Sequence, residues 1–349
     1  MSRVRELSSA DLSSLSRQLA LVIDSELSLQ EGLDLIRQQT KSRAVQQMLR
    51  RTQSRVNEGQ MLSEAFDQEK QLLPDFYVQM IKMGEQSGNL VRVLSRVADS
   101  YDKEAKISGK VMSAVTYPII LTVLMLFVIV LLLTEVLPMF DDVLSSLGGE
   151  MPGITRALMD IGAFVSTYFY VLLLIIAAVI ITVVVMRQSD RGHEMLDAMK
   201  LSLPIRRGIT RNICGVRFAR NLAMLLRSGI SIAASVQMTS AIVMNSHIAS
   251  LIDKAAERIE NGETLREALQ SLGLFPGLLV RMLAVAESTG HIDDMLDRAA
   301  DVLEEDLDAR LTKLTTVLEP ALIIVLSIII GIVLVSVILP VARIMNAVG

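Results

Sequence analysis

The chain of 349 residues has no tryptophan, one cysteine, three histidines, five tyrosines and eight phenylalanines. Cys214 alone can form no intrachain disulfide, and His193, His247 and His291 lie far apart without ligand spacing, so neither a disulfide nor a structural zinc site is expected. Few aromatics and few alternating apolar and polar runs leave little from which to build strands, which points to an all-helical fold. Charged residues are 21% of the chain, the net charge is -4, and no basic stretch is interleaved with aromatic side chains; nucleic acid is not an expected partner. A GxxxxGK[ST] loop is absent, as is any nucleophile–base constellation, so no catalytic residue and no cofactor is expected and the chain does not read as an enzyme. Arg3 and Arg5 are followed by no apolar core, so no cleavable signal peptide is expected and the first domain should stay in the cytoplasm.

What the sequence has in excess is apolar residues, 51% of the total, with a mean hydropathy of +0.47, too apolar for an ordinary soluble protein of this size. No Asp, Glu, Lys or Arg occurs between Lys110 and Glu135, between Asp160 and Arg187, or between Glu319 and Arg343. About 20 apolar residues cross a hydrocarbon core of roughly 30 Å, and Ile119 to Leu137, Thr167 to Met186 and Ala321 to Leu339 each supply such a core. Lys and Arg are retained on the cytoplasmic side. Lys103, Lys106 and Lys110 precede the first run, Arg187, Arg191, Arg206, Arg207 and Arg211 follow the second, and Arg310 and Lys313 precede the third, whereas the connection after the first run is acidic. The expected plan is an all-α membrane protein in a bacterial inner membrane, with a cytoplasmic N-terminus. It has a first cytoplasmic bundle over 1–113, spans over 117–137, 165–186 and 320–340, a short outer loop over 138–164, a second cytoplasmic bundle over 188–316 and an outer tail over 341–349. No span has an ionisable residue at its middle, which argues against a carrier or pump.

Compared with itself at an offset near 200 residues, the chain is a tandem repeat. Arg17 to Leu29 lies over Arg220 to Ile232, and after a one-residue slip Pro74, Val78, Met80, Glu85, Gly88 and Leu94 fall on Pro276, Val280, Met282, Glu287, Gly290 and Leu296. Pro118 and Pro138 bracket the first span as Pro320 and Pro340 bracket the third. Leu12, Leu15, Leu19, Val22 and Ile23 form an apolar helical stripe, with Asp11 or Ser9 as its cap. Gly59, Gly84, Gly88, Gly262, Gly273 and Gly290, with Pro74 and Pro276, are expected to divide each bundle into short helices. The intervening second span returns the chain so that both bundles share one compartment.

These residues resemble the F-domain proteins of type II secretion, the polytopic platforms of type II secretion systems, type IV pili and competence pseudopili. The resemblance covers nearly the whole chain. It rests on Arg17-Gln-Leu-Ala, on Gly84 to Leu90, on Ala286 to Ile292, on Tyr117-Pro118 and on Glu319-Pro320. The second copy departs from the first at Ala286, against Gly84, and at Glu319, against Tyr117, and the chain is shorter at its front than many relatives. The resemblance implies a cytoplasmic hexameric assembly ATPase as partner, with pilin or pseudopilin subunits, other inner-membrane assembly proteins and the lipid bilayer. An even number of copies, a homo-oligomeric dimer first, suits a rotary partner of higher symmetry. A rival reading is a receptor that relays a signal through its bundles, against which stands the shortness of the outer loop.

Glu85 and Glu287 occupy matched turns, where a carboxylate either caps a helix N-terminus or touches a partner. Gly88 and Gly290 suit a left-handed turn. Asp293, Asp297, Asp301, Glu304 and Asp308 recur at spacings of three or four, so five carboxylates share one helix face. That stripe is either solvated or a docking face for a basic surface of the ATPase or another assembly protein. Cation binding by it is disfavoured, because helical spacing rarely supplies six oxygen ligands. Arg206, Arg207 and Arg211 read as topology signals or as contacts to anionic headgroups.

Overall fold

The computed structural model describes residues 6–25, 27–146, 153–186, 204–243 and 246–348, and their regular structure is helical. The chain divides into two compact units, Met1–Lys110 with Glu194–Asp308, and Val111–His193 with Ala309–Gly349.

In the first unit, the first copy begins with α1 (Ser9–Asp24), α2 (Leu29–Gln39), α3 (Arg43–Asn57), α4 (Leu62–Asp67) and α5 (Asp75–Gln86). Its last helix, α6 (Leu90–Leu131), belongs to this unit as far as Lys110. The cap of α1 is Ser8, whose hydroxyl accepts from the Asp11 N–H at 3.2 Å. Ser9 and Asp11, the expected caps, lie inside the helix, because the extended backbone that a cap needs falls one residue earlier. Leu12, Leu15, Leu19 and Val22 are buried and join Leu33, Met48, Leu49, Phe66 and Tyr77 in one cluster. Burial pushes the Tyr77 phenol well above its ordinary pKa. Glu69 is also buried, where it accepts from Arg51 Nε at 2.8 Å and from an Arg55 guanidinium nitrogen at 2.9 Å, tying the α4 end to α3. Five of the six punctuating glycines (Gly59, Gly88, Gly262, Gly273, Gly290) have positive φ. Gly84 does not punctuate: it lies within α5, close to Leu90 and Val93.

The second copy repeats the order as α10 (Pro204–Arg227), α11 (Ile232–Ser240), α12 (Ser246–Glu260), α13 (Leu265–Ser271), α14 (Gly277–Thr289) and α15 (Ile292–Val348). Phe218 and Phe275 stack in its core with ring centroids 4.6 Å apart.

The second unit holds the rest of α6 and α15 together with α7 (Leu137–Ser146), α8 (Gly153–Thr167) and α9 (Phe169–Met186). Among the described residues, two helical stretches are long and apolar enough to cross a membrane, Leu90–Val143 and Ile292–Val335. α9 is a shorter helix that contains no Asp, Glu, Lys or Arg. The expected outer loop is largely helical, through α7 and α8. Helix also runs through the bracketing prolines rather than ending at them: Pro118 is inside α6, and Pro320 and Pro340 are inside α15. At Pro138 the missing N–H leaves the preceding turn without its usual partner, and a π-helical stretch, Leu132–Val136, carries the chain past it, with Leu137 N–H bonded to the Leu132 carbonyl. Leu133, Leu137 and Val333 make a small core, and a Cβ on Gly162 would stand 2.8 Å from the Leu133 carbonyl oxygen. Tyr117 donates to Glu319 at 3.2 Å, joining two positions that the repeat places in register.

Gly32 is the tightest approach in the first bundle, since a Cβ there would overlap Val22 Cγ1, and the branched valine has little freedom to move aside. Gly32→Ala is therefore expected to lower stability by about 1–3 kcal/mol through overpacking, while Gly84→Ala, which copies Ala286, should cost less; thermal unfolding followed by circular dichroism compares the two.

Candidate functional site

The residues singled out in the sequence fall into two arrangements within the first unit. Glu85 projects from the end of α5 onto the start of α4, where its two oxygens accept from Leu62 N–H at 2.8 Å and Ser63 N–H at 2.9 Å. Glu287 does the same in the second copy, accepting from the Arg266 backbone N–H and from Arg266 Nε, each at 3.1 Å. A short helix has its free N–H groups and its dipole satisfied from across the bundle in both cases. Gly88 at φ +66° and Gly290 at φ +73° turn the chain just after these glutamates, in the left-handed region that costs a side chain energy.

The acidic stripe of α15 is engaged inside the chain. Arg227 contacts Asp293, Asp294 and Asp297 at 3.3, 2.8 and 2.8 Å. Two turns earlier on the same face of α10, Arg220 contacts Asp297, Asp301 and Glu304 at 3.0, 2.8 and 3.0 Å, and its side chain is only 8% exposed. Lys110 of α6 reaches Glu304 at 3.3 Å and Asp308 at 2.6 Å. Three cations thus interleave with carboxylates that would otherwise repel along one helix face. Burial alone would raise the Asp297 carboxyl, but the hydrogen bond from Arg227 and the charges of Arg220, Lys103 and Arg227 hold it below its ordinary value. The same carboxylates hold the Arg227 guanidinium firmly charged.

A neighbouring face of α10 lies against α6 of the first copy. Arg217 forms a bidentate pair with Glu104, and both are largely buried. Ser100 donates to the Asn221 side chain at 3.0 Å. Arg96 donates to the Arg227 carbonyl at 2.9 Å and to the Ser228 hydroxyl at 3.2 Å. Met224 and Leu225 enter the hydrophobic cluster of the first copy, with Ile230, Met238 and Ile242 packed against it.

Sequence reasoning found the stripe but not its partners. A signal was present in the repeat: Arg17 and Asp99 match Arg220 and Asp301, and they too pair, at 3.2 Å, but as an exposed contact. Of the three arginines read as topology signals, Arg211 donates to the Gly273 carbonyl at 2.7 Å, while the side chains of Arg206 and Arg207 lie outside the described residues. Among the described residues no group of three or more His, Cys, Asp or Glu is placed to hold a metal ion.

The fold and these contacts define an all-helical scaffold made of one bundle used twice, each copy continuing into a long apolar helix and the two copies joined by the buried Arg217–Glu104 pair and by Lys110. The chain belongs to the family described as Type II secretion system (T2SS), protein F, which matches residues 15–138 and again residues 218–340. It is 33% identical to the Type IV pilus assembly protein PilC of Thermus thermophilus over 337 residues, 96% of this chain and 83% of that one. It is 29% identical to the PilC of Myxococcus xanthus over 97% of this chain and 81% of the relative. The Type II secretion system protein F of Pseudomonas aeruginosa is 28% identical over 99% of this chain and 85% of its own length.

Two predictions follow from the geometry of the charges. Replacing Arg220 by Met leaves three facing carboxylates without their cation and is expected to cost about 2–3 kcal/mol, less than a fully buried unpaired charge because Asp301 keeps contact with water; Arg17→Met should change stability by no more than about 0.5 kcal/mol. Denaturant unfolding of the two variants checks the contrast. Glu69, raised by burial but lowered further by Arg51 and Arg55, and Asp297 both titrate below their ordinary values of 4.5 and 3.8. Their stabilisation is complete above those values and is lost as the pH falls through the lower, folded ones. The melting temperature should therefore hold from about pH 7 to about pH 5 and drop below about pH 4, and Asp297→Asn should make that drop shallower.

Proposed function

We propose that this protein is the inner-membrane platform on which a type IV pilus or a type II secretion pseudopilus is assembled. The observation that carries this reading is one family domain matched twice, each copy running into a long apolar helix, in a chain similar over nearly its whole length to proteins named for pilus assembly and for type II secretion. α6, α9 and α15 cross the bilayer in this reading, and α9 returns the chain so that both bundles and the N-terminus lie in the cytoplasm. A cytoplasmic hexameric ATPase engages the bundles, and its motion passes along α6 and α15 to pilin or pseudopilin subunits in the membrane.

Two features support a mechanical role. Arg217 pairs with Glu104, and Lys110 with Glu304 and Asp308, across the two copies, so a push on one bundle is carried to the other rather than dissipated between them. α6 and α15 also continue from bundle into apolar segment without a linker. For the ATPase contact, the outer edge of the stripe is the surface we favour: Asp301 and Asp308 each pair with a cation, Arg220 and Lys110, yet their side chains stay 63% and 40% exposed, whereas Glu85 and Glu287 are occupied as helix caps.

Deleting the gene in its bacterial host and restoring it on a plasmid tests the function. Loss of surface filaments, protein secretion or DNA uptake, with pilins stranded in the inner membrane and recovery on complementation, is the expected result. Unaltered filaments, secretion and uptake would remove the platform reading.

A further inference from the structure

We infer that the protein associates with a second copy of itself head to tail: the α1–α2 face of one copy, bearing Leu21, Leu27 and Leu35, receives the α14–α15 face of another, bearing Val285, Arg298 and Val302. The inference needs only the internal packing of the two bundles and is independent of the assembly role proposed above.

Within the chain the bundles meet through unlike faces. The second copy contributes Met224, Ile230 and Met238 from α10, α11 and the turn between them, and these pack on the hydrophobic cluster of the first. The first copy contributes Arg96 and Ser100 from α6, while Met83, at the end of α5, packs on the same cluster. Because the bundles are copies, each of these faces has a counterpart that the internal contact does not use. Leu21, Leu27 and Leu35 stand 203 residues before Met224, Ile230 and Met238; Val285, Arg298 and Val302 stand 202 residues after Met83, Arg96 and Ser100.

Both counterpart faces are open to solvent. Leu21 is 65% exposed where Met224 is 7% exposed, and Val285 is 51% exposed. Among the described residues up to Lys110, the exposed large apolar side chains are Leu21, Leu27, Leu35 and Met61; among those from Pro204 to Asp308 they are Val285 and Val302. Apart from Met61 and Val285, these exposed apolar side chains stand at the repeat positions of residues in the internal contact: Leu21, Leu27 and Leu35 at those of Met224, Ile230 and Met238, and Val302 at that of Ser100. Scattered apolar residues on a surface need no explanation, but a set that gathers at the repeat positions of an internal contact does. The polar groups agree as well. Arg96 binds the carbonyl of Arg227 and the hydroxyl of Ser228; its counterpart Arg298 would meet Asp24 and Ser25, and the aspartate adds an opposite charge that the internal contact lacks at that place. A contact between unlike faces leaves one of each kind free at the two ends of every chain, which is the condition for joining further copies by repeating the same contact.

The test uses the full chain carrying Cys214→Ala. One tagged copy also carries Leu21→Cys, a second copy with a different tag carries Val302→Cys, and the two are co-expressed and oxidised in unfractionated lysate. A disulfide-linked species bearing both tags is expected, and it should be missing when Met61→Cys replaces Leu21→Cys. Absence of the two-tag species overturns the inference, and so does a disulfide between two Leu21→Cys copies in its place, which would mean that like faces meet. In the purified full chain, Leu21→Glu with Leu35→Glu should weaken self-association by at least about tenfold, as expected for charging a desolvated anchor, with the helical circular dichroism unchanged. Undiminished association in that variant also counts against it.

Discussion

Arg220 is the group on which the arrangement of the second bundle depends. Its guanidinium is nearly excluded from water and donates to carboxylates from three successive turns of α15. Neither side of this contact is stable alone: the stripe of five acids is self-repelling at helical spacing, and a buried cation without partners carries a desolvation cost of several kcal/mol. Brought together, they force α10 and α15 into one register. Arg227 extends the contact toward the start of α15, and Lys110 extends it from the first copy. Such a network adds little stability compared with a well-packed apolar core, but it is selective, because any slip of one helix along the other strands charges.

The two copies use a common plan to different ends. Arg17 and Asp99 make the same pairing as Arg220 and Asp301 but remain in water, where an ion pair contributes little. In the second copy, Asp297 stands where the first has Ser95 and Glu304 where it has the shorter Asp102, so three carboxylates surround the arginine, and the adjoining face of α10 carries Arg217 and Asn221 toward Glu104 and Ser100. Duplication therefore produced one bundle specialised to hold its twin, and left each twin with a face of the kind the other has used.

Much of the local structure was legible. The Leu12 to Val22 stripe is the buried face of α1, and the glycines after Glu85 and Glu287 have the left-handed backbone that their place after a helix demands. The helices after the first apolar run were not legible. The expected loop holds the helices α7 and α8, and the prolines that bracket the spans lie inside helix, one of them just after a π-helical turn. Local breaker signals weigh backbone preference only; in a long apolar helix, packing and the need to satisfy backbone hydrogen bonds override one missing N–H. The acidic stripe was visible, but the arginines that neutralise it lie 66 to 84 residues earlier in the chain, too far for any periodicity to connect them.

Composition, apolar runs and internal repetition by themselves determined an all-helical chain with one bundle used twice and long apolar helices after each copy, since hydrophobic periodicity and burial are short-range properties that each segment carries with it. Which charges meet which, and so whether the stripe on α15 is free or engaged, was decided only by the tertiary structure. A carboxylate at a given spacing has the same sequence signature whether it faces water or a guanidinium. Its partner is chosen by which helix the fold lays beside it, and that depends on the packing of the whole bundle.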